Sequence, residues 1–140
     1  MHKLSHFVLV FICILASFVA SDQPPCATTC HALNCDNTGI RYGKYCGVGH
    51  GGCPGEKPCD SVDACCKRHD SCVEEAGIFS ANKCHKDFIQ CLDKRGNRKD
   101  GFSEECPYST VVPNMRESIR AVMSLTEMFG GAFNQQDEEL

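Results

Sequence analysis

Hydrophobic and polar positions divide the chain into stretches of different texture. Residues 7–20, FVLVFICILASFVA, are almost unbroken in their apolar character. Residues 22–60 show no period, and six of the twelve glycines lie between Gly43 and Gly55, so this stretch is predicted to be loop. From Asp60 to Ala76, DSVDACCKRHDSCVEEA contains neither Gly nor Pro. It is predicted to be a helix, capped by Asp60 or Ser61 and ended by Gly77. Ser80 to Arg95 predicts a second helix closing at Gly96, and KRGNRKDG (94–101) a solvated turn. A third helix is expected after Pro113, where Met115, Ile119, Val122, Met123 and Phe129 fall near helical spacing and Gly130-Gly131 would stop it. No convincing strand pair and no repeat is visible. The pattern predicts a mainly α, loop-rich fold.

The N-terminal run follows Lys3 and has the length of a signal-peptide core; it is short for a membrane span. Small residues at Val19 and Ser21 place a cleavage site near Ala20 or Ser21. The expected organisation is a signal peptide over 1–21 and one domain over 22–140, secreted and folded in an oxidising lumen. The far end, Asp137-Glu138-Glu139-Leu140, loosely resembles a KDEL-type signal for retention in the endoplasmic reticulum.

Composition agrees with export. The chain has 140 residues and 13 cysteines, of which Cys13 lies in the apolar run. Removing residues 1–21 leaves 119 residues with twelve cysteines, a density typical of disulfide scaffolds. The net charge of −4, with no dominant basic face, argues against a nucleic-acid partner.

The cysteines carry geometry. Cys65 and Cys72 are seven residues apart and share one helix face, as do Cys84 and Cys91. Two helices joined by a short turn are antiparallel neighbours, which matches Cys65 with Cys91 and Cys72 with Cys84. A zinc site is the weaker reading, because export favours disulfides and no paired C-x-x-C ligands occur. His69 lies between the two staples and projects towards the same seam. Cys26, Cys30, Cys35, Cys53, Cys59 and Cys106 allow fifteen pairings, which stay open. One arrangement clamps Cys26 to Cys53 and Cys30 to Cys59, leaving Cys35 with Cys106.

Tyr42–Gly52, YGKYCGVGHGG, is a glycine-spaced loop able to turn carbonyl oxygens inward. Calcium takes such hard oxygen ligands, six to eight of them, and needs a carboxylate to offset its charge. Alone the loop would equally suit a turn-rich linker.

Asp63-Ala64-Cys65-Cys66-Lys67-Arg68-His69-Asp70-Ser71-Cys72 resembles the D-x-C-C-x-x-H-D-x-C signature of secretory phospholipases A2. Tyr42-Gly43-Lys44-Tyr45-Cys46-Gly47-Val48-Gly49 resembles that family's calcium loop. The twelve cysteines and CPGEKPCD between the motifs look like the plant-type branch, and the specific resemblance covers about residues 42–91.

The resemblance implies a mainly α, disulfide-rich fold: two antiparallel linked helices, a calcium-binding loop and a C-terminal helix. It implies Ca2+ as cofactor, held by the backbone carbonyls of Tyr45, Gly47 and Gly49 and the carboxylate of Asp70, with Cys46 bonded to Cys66 as tether. It implies His69 as general base in hydrolysis of the sn-2 ester of a glycerophospholipid, and a membrane or micelle surface as partner of a monomer. Many animal members carry an aspartate where this chain has His85, so His85 is expected to orient His69, with Asp87 across the seam as the alternative. Lys44 stands where animal enzymes often have a further cysteine, and Val73 and Phe88 lie near positions of absent tyrosines. The rival readings are a catalytically silent calcium- or receptor-binding member of the same scaffold, a disulfide-rich inhibitor or defence peptide, and a structural calcium module.

Overall fold

The computed structural model describes residues 26–134. The segment 1–21, expected to be a signal peptide, and the Asp137–Leu140 tail lie outside these residues. Two short strands come first, β1 (His31–Leu33) and β2 (Arg41–Gly43). Three helices follow: α1 (Ser61–Ala76), α2 (Asn82–Arg95) and α3 (Tyr108–Asn134).

Helix α1 starts where its sequence provides an acceptor. The Asp60 carboxylate takes the N–H groups of Val62 and Asp63 at 3.0 and 2.9 Å, two of the donors that a helix start leaves unpaired. Gly77 ends it at φ 78°, its N–H bonded to the Val73 carbonyl. A 3-10 turn, Ile78–Ser80, reverses the chain, so α2 begins two residues later than the glycine-free stretch predicts. The helices run antiparallel and are cross-linked by Cys65–Cys91 and Cys72–Cys84, with Cα separations of 5.8 and 5.7 Å.

Two expectations are corrected. Residues 31–33 and 41–43 do form an antiparallel pair, His31 opposite Gly43, Ala32 opposite Tyr42 and Leu33 opposite Arg41. Three residues per strand are too few for alternation to be legible. Helix α3 starts at Tyr108, ahead of Pro113, and its backbone runs through Gly130-Gly131. Pro113 removes one helical N–H. The helix nevertheless forms around it because Tyr108, Val111, Val112 and Met115 on its inner face are buried. Those residues pack with Val62, Tyr42, Phe88 and Leu92 into one core, against which the helix pair and the loop region both rest.

The remaining disulfides fasten the irregular half: Cys26–Cys53, Cys30–Cys59, Cys35–Cys106 and Cys46–Cys66. The arrangement considered for the six open cysteines is thus the one adopted. The Cys26–Cys53 link accompanies a backbone bridge between Ala27 and Gly52. Among the described residues no helix is long and apolar enough to cross a membrane.

Candidate active site

His69 sits in the middle of α1, between the two helix-pair disulfides, with 15% of its side chain exposed. Its Nε2 lies 2.9 Å from Nδ1 of His85 on α2, and its ring stacks on Phe88 at a centroid distance of 4.6 Å. The other ring nitrogen, Nδ1, lies 3.7 Å from Oδ1 of Asp70. Asp87 makes no such approach; it is exposed and paired with Lys83 one turn back on its own helix. The seam therefore brings together His69 and His85 and leaves Asp87 at the surface.

His85 is buried, and its Nε2 has no hydrogen-bond partner. Burial first, and the nearby His69 second, push its pKa below the ordinary histidine value. It is held neutral and so serves as a hydrogen-bonding group, not a charge. The Asp70 carboxyl is pushed up by burial, partly countered by His69. The Asp70 side chain is nevertheless about half exposed, which leaves the carboxylate open to a cation.

The loop after β2 is held from several directions. Tyr42 and Cys46 exchange backbone hydrogen bonds of 3.0 and 3.1 Å, closing its first turn. The Cys46–Cys66 bond ties it to α1. The Tyr45 hydroxyl donates to the Glu56 carbonyl at 2.7 Å, which also accepts from Lys67 Nζ. Lys44 pairs with Glu56, so a salt bridge occupies the position of the absent cysteine. Gly47 has φ 135°, and a Cβ there would meet the Ile40 carbonyl oxygen at 2.2 Å.

Asp63 is the residue whose role the sequence reading missed. It is fully buried, and its carboxylate accepts the N–H groups of Lys44, Tyr45 and Cys59 at 3.0, 2.9 and 2.9 Å. The signal was present: Asp63 is three residues before Cys66 and seven before Asp70, on the helix stripe that faces the loop.

Tyr45, Gly47, Gly49, His69, Asp70 and Phe88 line one mainly apolar cavity of about 250 Å³. The donor set fits calcium. The Tyr45 and Gly49 carbonyls accept no hydrogen bond among the described residues, and that of Gly47 accepts one, from His50 N–H at 3.1 Å, leaving a lone pair. Asp70 is the one carboxylate lining the cavity. All four are hard oxygen donors, the type calcium selects. No cluster of three His, Cys, Asp or Glu side chains suited to a softer metal occurs among the described residues. A larger groove, about 460 Å³, touches His69 from the other side and is lined by Arg68, Asp87, Lys94 and Arg95. It contains none of the loop carbonyls and not Asp70, so the smaller cavity is the candidate site.

No family model matches the chain. Phospholipase A2-beta of Arabidopsis thaliana is 48% identical over 120 residues, covering 81% of this chain and 79% of that protein. The probable phospholipase A2 homolog 1 of rice is 46% identical over 86% of this chain and 88% of its own length. The chain belongs to the phospholipase A2 family. A solved rice phospholipase A2 superposes with a TM-score of 0.69 at 29% identity, covering 84% of this chain and 98% of that one. A further rice phospholipase A2 structure, a complex with octanoic acid, gives 0.66 at 29% identity, covering 80% and 99%. The family is one of esterases, and the solved rice members share this chain's overall fold.

Proposed function

We propose that this protein is a secreted, calcium-dependent phospholipase A2 that cleaves the sn-2 acyl ester of glycerophospholipids, with residues 22–140 as the enzymatic domain. The observation that carries the reading is the position of His69. It shares one cavity with Asp70 and the loop carbonyls while its far nitrogen is engaged by His85.

His69 acts as the base through Nδ1. That nitrogen must then be unprotonated, so Nε2–H donates to His85 Nδ1, and the His85 proton resides on its own Nε2. A water beside Nδ1 gives its proton to His69 as its oxygen adds to the ester carbonyl carbon. Collapse breaks the sn-2 C–O bond, and His69 returns the proton to the departing lysophospholipid oxygen. The products are a fatty acid and a lysophospholipid, with no covalent enzyme intermediate. The imidazolium formed in passing is stabilised by the His85 lone pair and the nearby Asp70 carboxylate.

The Tyr45, Gly47 and Gly49 carbonyls and Asp70 would hold calcium, which supplies a Lewis acid for the lipid phosphate and the ester carbonyl. The Gly47 N–H, which makes no hydrogen bond among the described residues, is free to donate to the developing oxyanion. Phe88 and the α3 residues Met115, Ile119 and Val122 give the cavity an apolar wall suited to an acyl chain. The octanoic acid bound to the rice relative is a ligand of that same chemistry.

The test is release of fatty acid from sn-2-labelled phosphatidylcholine. Activity should vanish with a chelator and return with calcium at about 10⁻⁴–10⁻³ M, the usual range for extracellular sites. His69→Gln should abolish turnover while calcium binding, measured by calorimetry, persists. Asp70→Asn should lose both. Near-full turnover by His69→Gln would refute the assignment.

A further inference from the structure

We infer that the groove between α1 and α2, on the far side of His69 from the candidate active site, binds a small soluble phosphate monoester with a hydroxyl-bearing body, a polyol or sugar phosphate. The inference goes beyond the phospholipase reading and does not depend on it.

The groove measures about 460 Å³. Small-molecule sites run from about 300 to 1,000 Å³. The Cys65–Cys91 rung organises it. Arg68 stands three residues after Cys65 on α1, and Lys94 three after Cys91 on α2, so both share the face of the rung. Arg95 follows in the same last turn of α2. All three line the groove, and the buried Cys65, Cys84 and Phe88 form its base. Two disulfides fix the spacing of the helices that carry these cations, so a ligand has little backbone to order.

Charge selects the ligand. Lys44, Lys83, Arg98 and Arg116 each pair with a carboxylate. Arg68, Lys94 and Arg95 pair with none among the described residues, although the chain is net negative. Arg68 Nη2 packs on the sulfurs of Cys65 and Cys91, and its Nε and Nη1 make no hydrogen bond among the described residues. A guanidinium so placed presents a free edge to a tetrahedral oxyanion. Three unpaired cations suit a dianion, and a phosphate monoester carries about −1.5 to −2 charges at neutral pH.

The rest of the lining selects the body of the ligand. The one carboxylate of the groove, Asp87, is already neutralised by Lys83. Its Oδ1 accepts no hydrogen bond among the described residues. With Gln90 on the same helix, it offers partners to ligand hydroxyls. None of the exposed large apolar side chains lines this groove, so an acyl chain would find no wall in it.

The test is calorimetric titration with glycerol 3-phosphate at low salt. One ligand should bind per chain, with equal affinity in calcium and in a chelator. Inorganic phosphate, which lacks the hydroxyl-bearing body, should bind several-fold more weakly. Lys94→Gln/Arg95→Gln should weaken binding at least about tenfold, and Arg68→Gln, from the opposite helix, likewise. Lys86→Gln/Lys99→Gln removes two charges from exposed positions outside the groove and should bind as the parent does. Glycerol 3-phosphate should also raise the melting temperature of the parent and not that of Lys94→Gln/Arg95→Gln.

Absence of both saturable binding and a melting shift would overturn the inference. So would equal weakening by Lys86→Gln/Lys99→Gln, which would reduce the attraction to diffuse charge. Binding that requires calcium would place the phosphate at Asp70 and the loop instead. Equal affinity for inorganic phosphate would overturn the hydroxyl-bearing body. Sedimentation with phosphatidic acid vesicles, lost in Lys94→Gln/Arg95→Gln and unaccompanied by glycerol 3-phosphate binding, would overturn the soluble source. None of these readouts needs turnover, so they judge the groove even if the phospholipase reading fails.

Discussion

Gly43 and Asp63 fit together so closely that a Cβ on Gly43 would lie 2.1 Å from the Asp63 carboxyl carbon. Gly43 also holds φ 64°, a left-handed conformation costly for other residues. The pair joins the start of the loop to the first turn of α1. Gly43→Ala should therefore cost about 2–4 kcal/mol in urea unfolding, from backbone strain and overpacking together. Its calcium affinity, by calorimetry, should fall as well, because the loop carbonyls are aimed by this contact.

Asp63→Ala removes the acceptor of three backbone N–H groups. Each buried donor left unpaired costs about 1–3 kcal/mol. The variant should be strongly destabilised, and a chelator should lower the parent's melting temperature more than the variant's, since a misplaced loop has little calcium affinity to lose. Equal chelator shifts would separate Asp63 from the loop.

His85→Ala should lower kcat by about 10- to 100-fold, less than the whole general-base contribution of about 10²–10⁴. The loss should fall on kcat and leave calcium affinity unchanged, because His85 touches His69 and not Asp70. His85→Asn, whose side-chain oxygen can accept from His69 Nε2–H, should recover part of it. A change confined to KM would argue against a positioning role.

His85 also predicts a pH dependence of stability. Its folded pKa is lowered by burial, so the unfolded chain binds the proton more readily. Its contribution is full above the unfolded value near 6.5 and is lost as pH falls from there through the folded value. Melting temperature should drop with acidification below about 6.5, the usual histidine range, and His85→Asn should flatten that part of the curve.

Removing the Cys72–Cys84 link with paired alanines opens a loop closed at a sequence separation of 12 and should cost about 2–4 kcal/mol. It should also lower kcat, because this staple is the nearer restraint on the His69–His85 contact.

Much of the site was legible before any coordinates. The helix pair, its two rungs and the placement of His69 between them follow from cysteine spacing, since side chains seven apart must share a helix face. The loop followed from glycines, whose positive φ values at Gly43, Gly47 and Gly49 are conformations few other residues accept. The strand pair was invisible because three residues carry no period. The start of α3 was hidden by Pro113, whose local penalty the buried contacts of Tyr108, Val111 and Val112 override.

The sequence alone determined a stapled, mainly helical chain, the cysteine ladder and the residue types for calcium and base chemistry, because those depend on local spacing and side-chain chemistry. Tertiary structure alone decided what depends on distance between remote segments. It chose His85 over Asp87 as the neighbour of His69. It gave Asp63 its three loop donors, and one pairing among fifteen to the outer cysteines. It also divided the α3 stripe into a buried cavity wall and an exposed end. In each case several residues were chemically eligible, and the packing of α1, α2, α3 and the loop around one core left room for one.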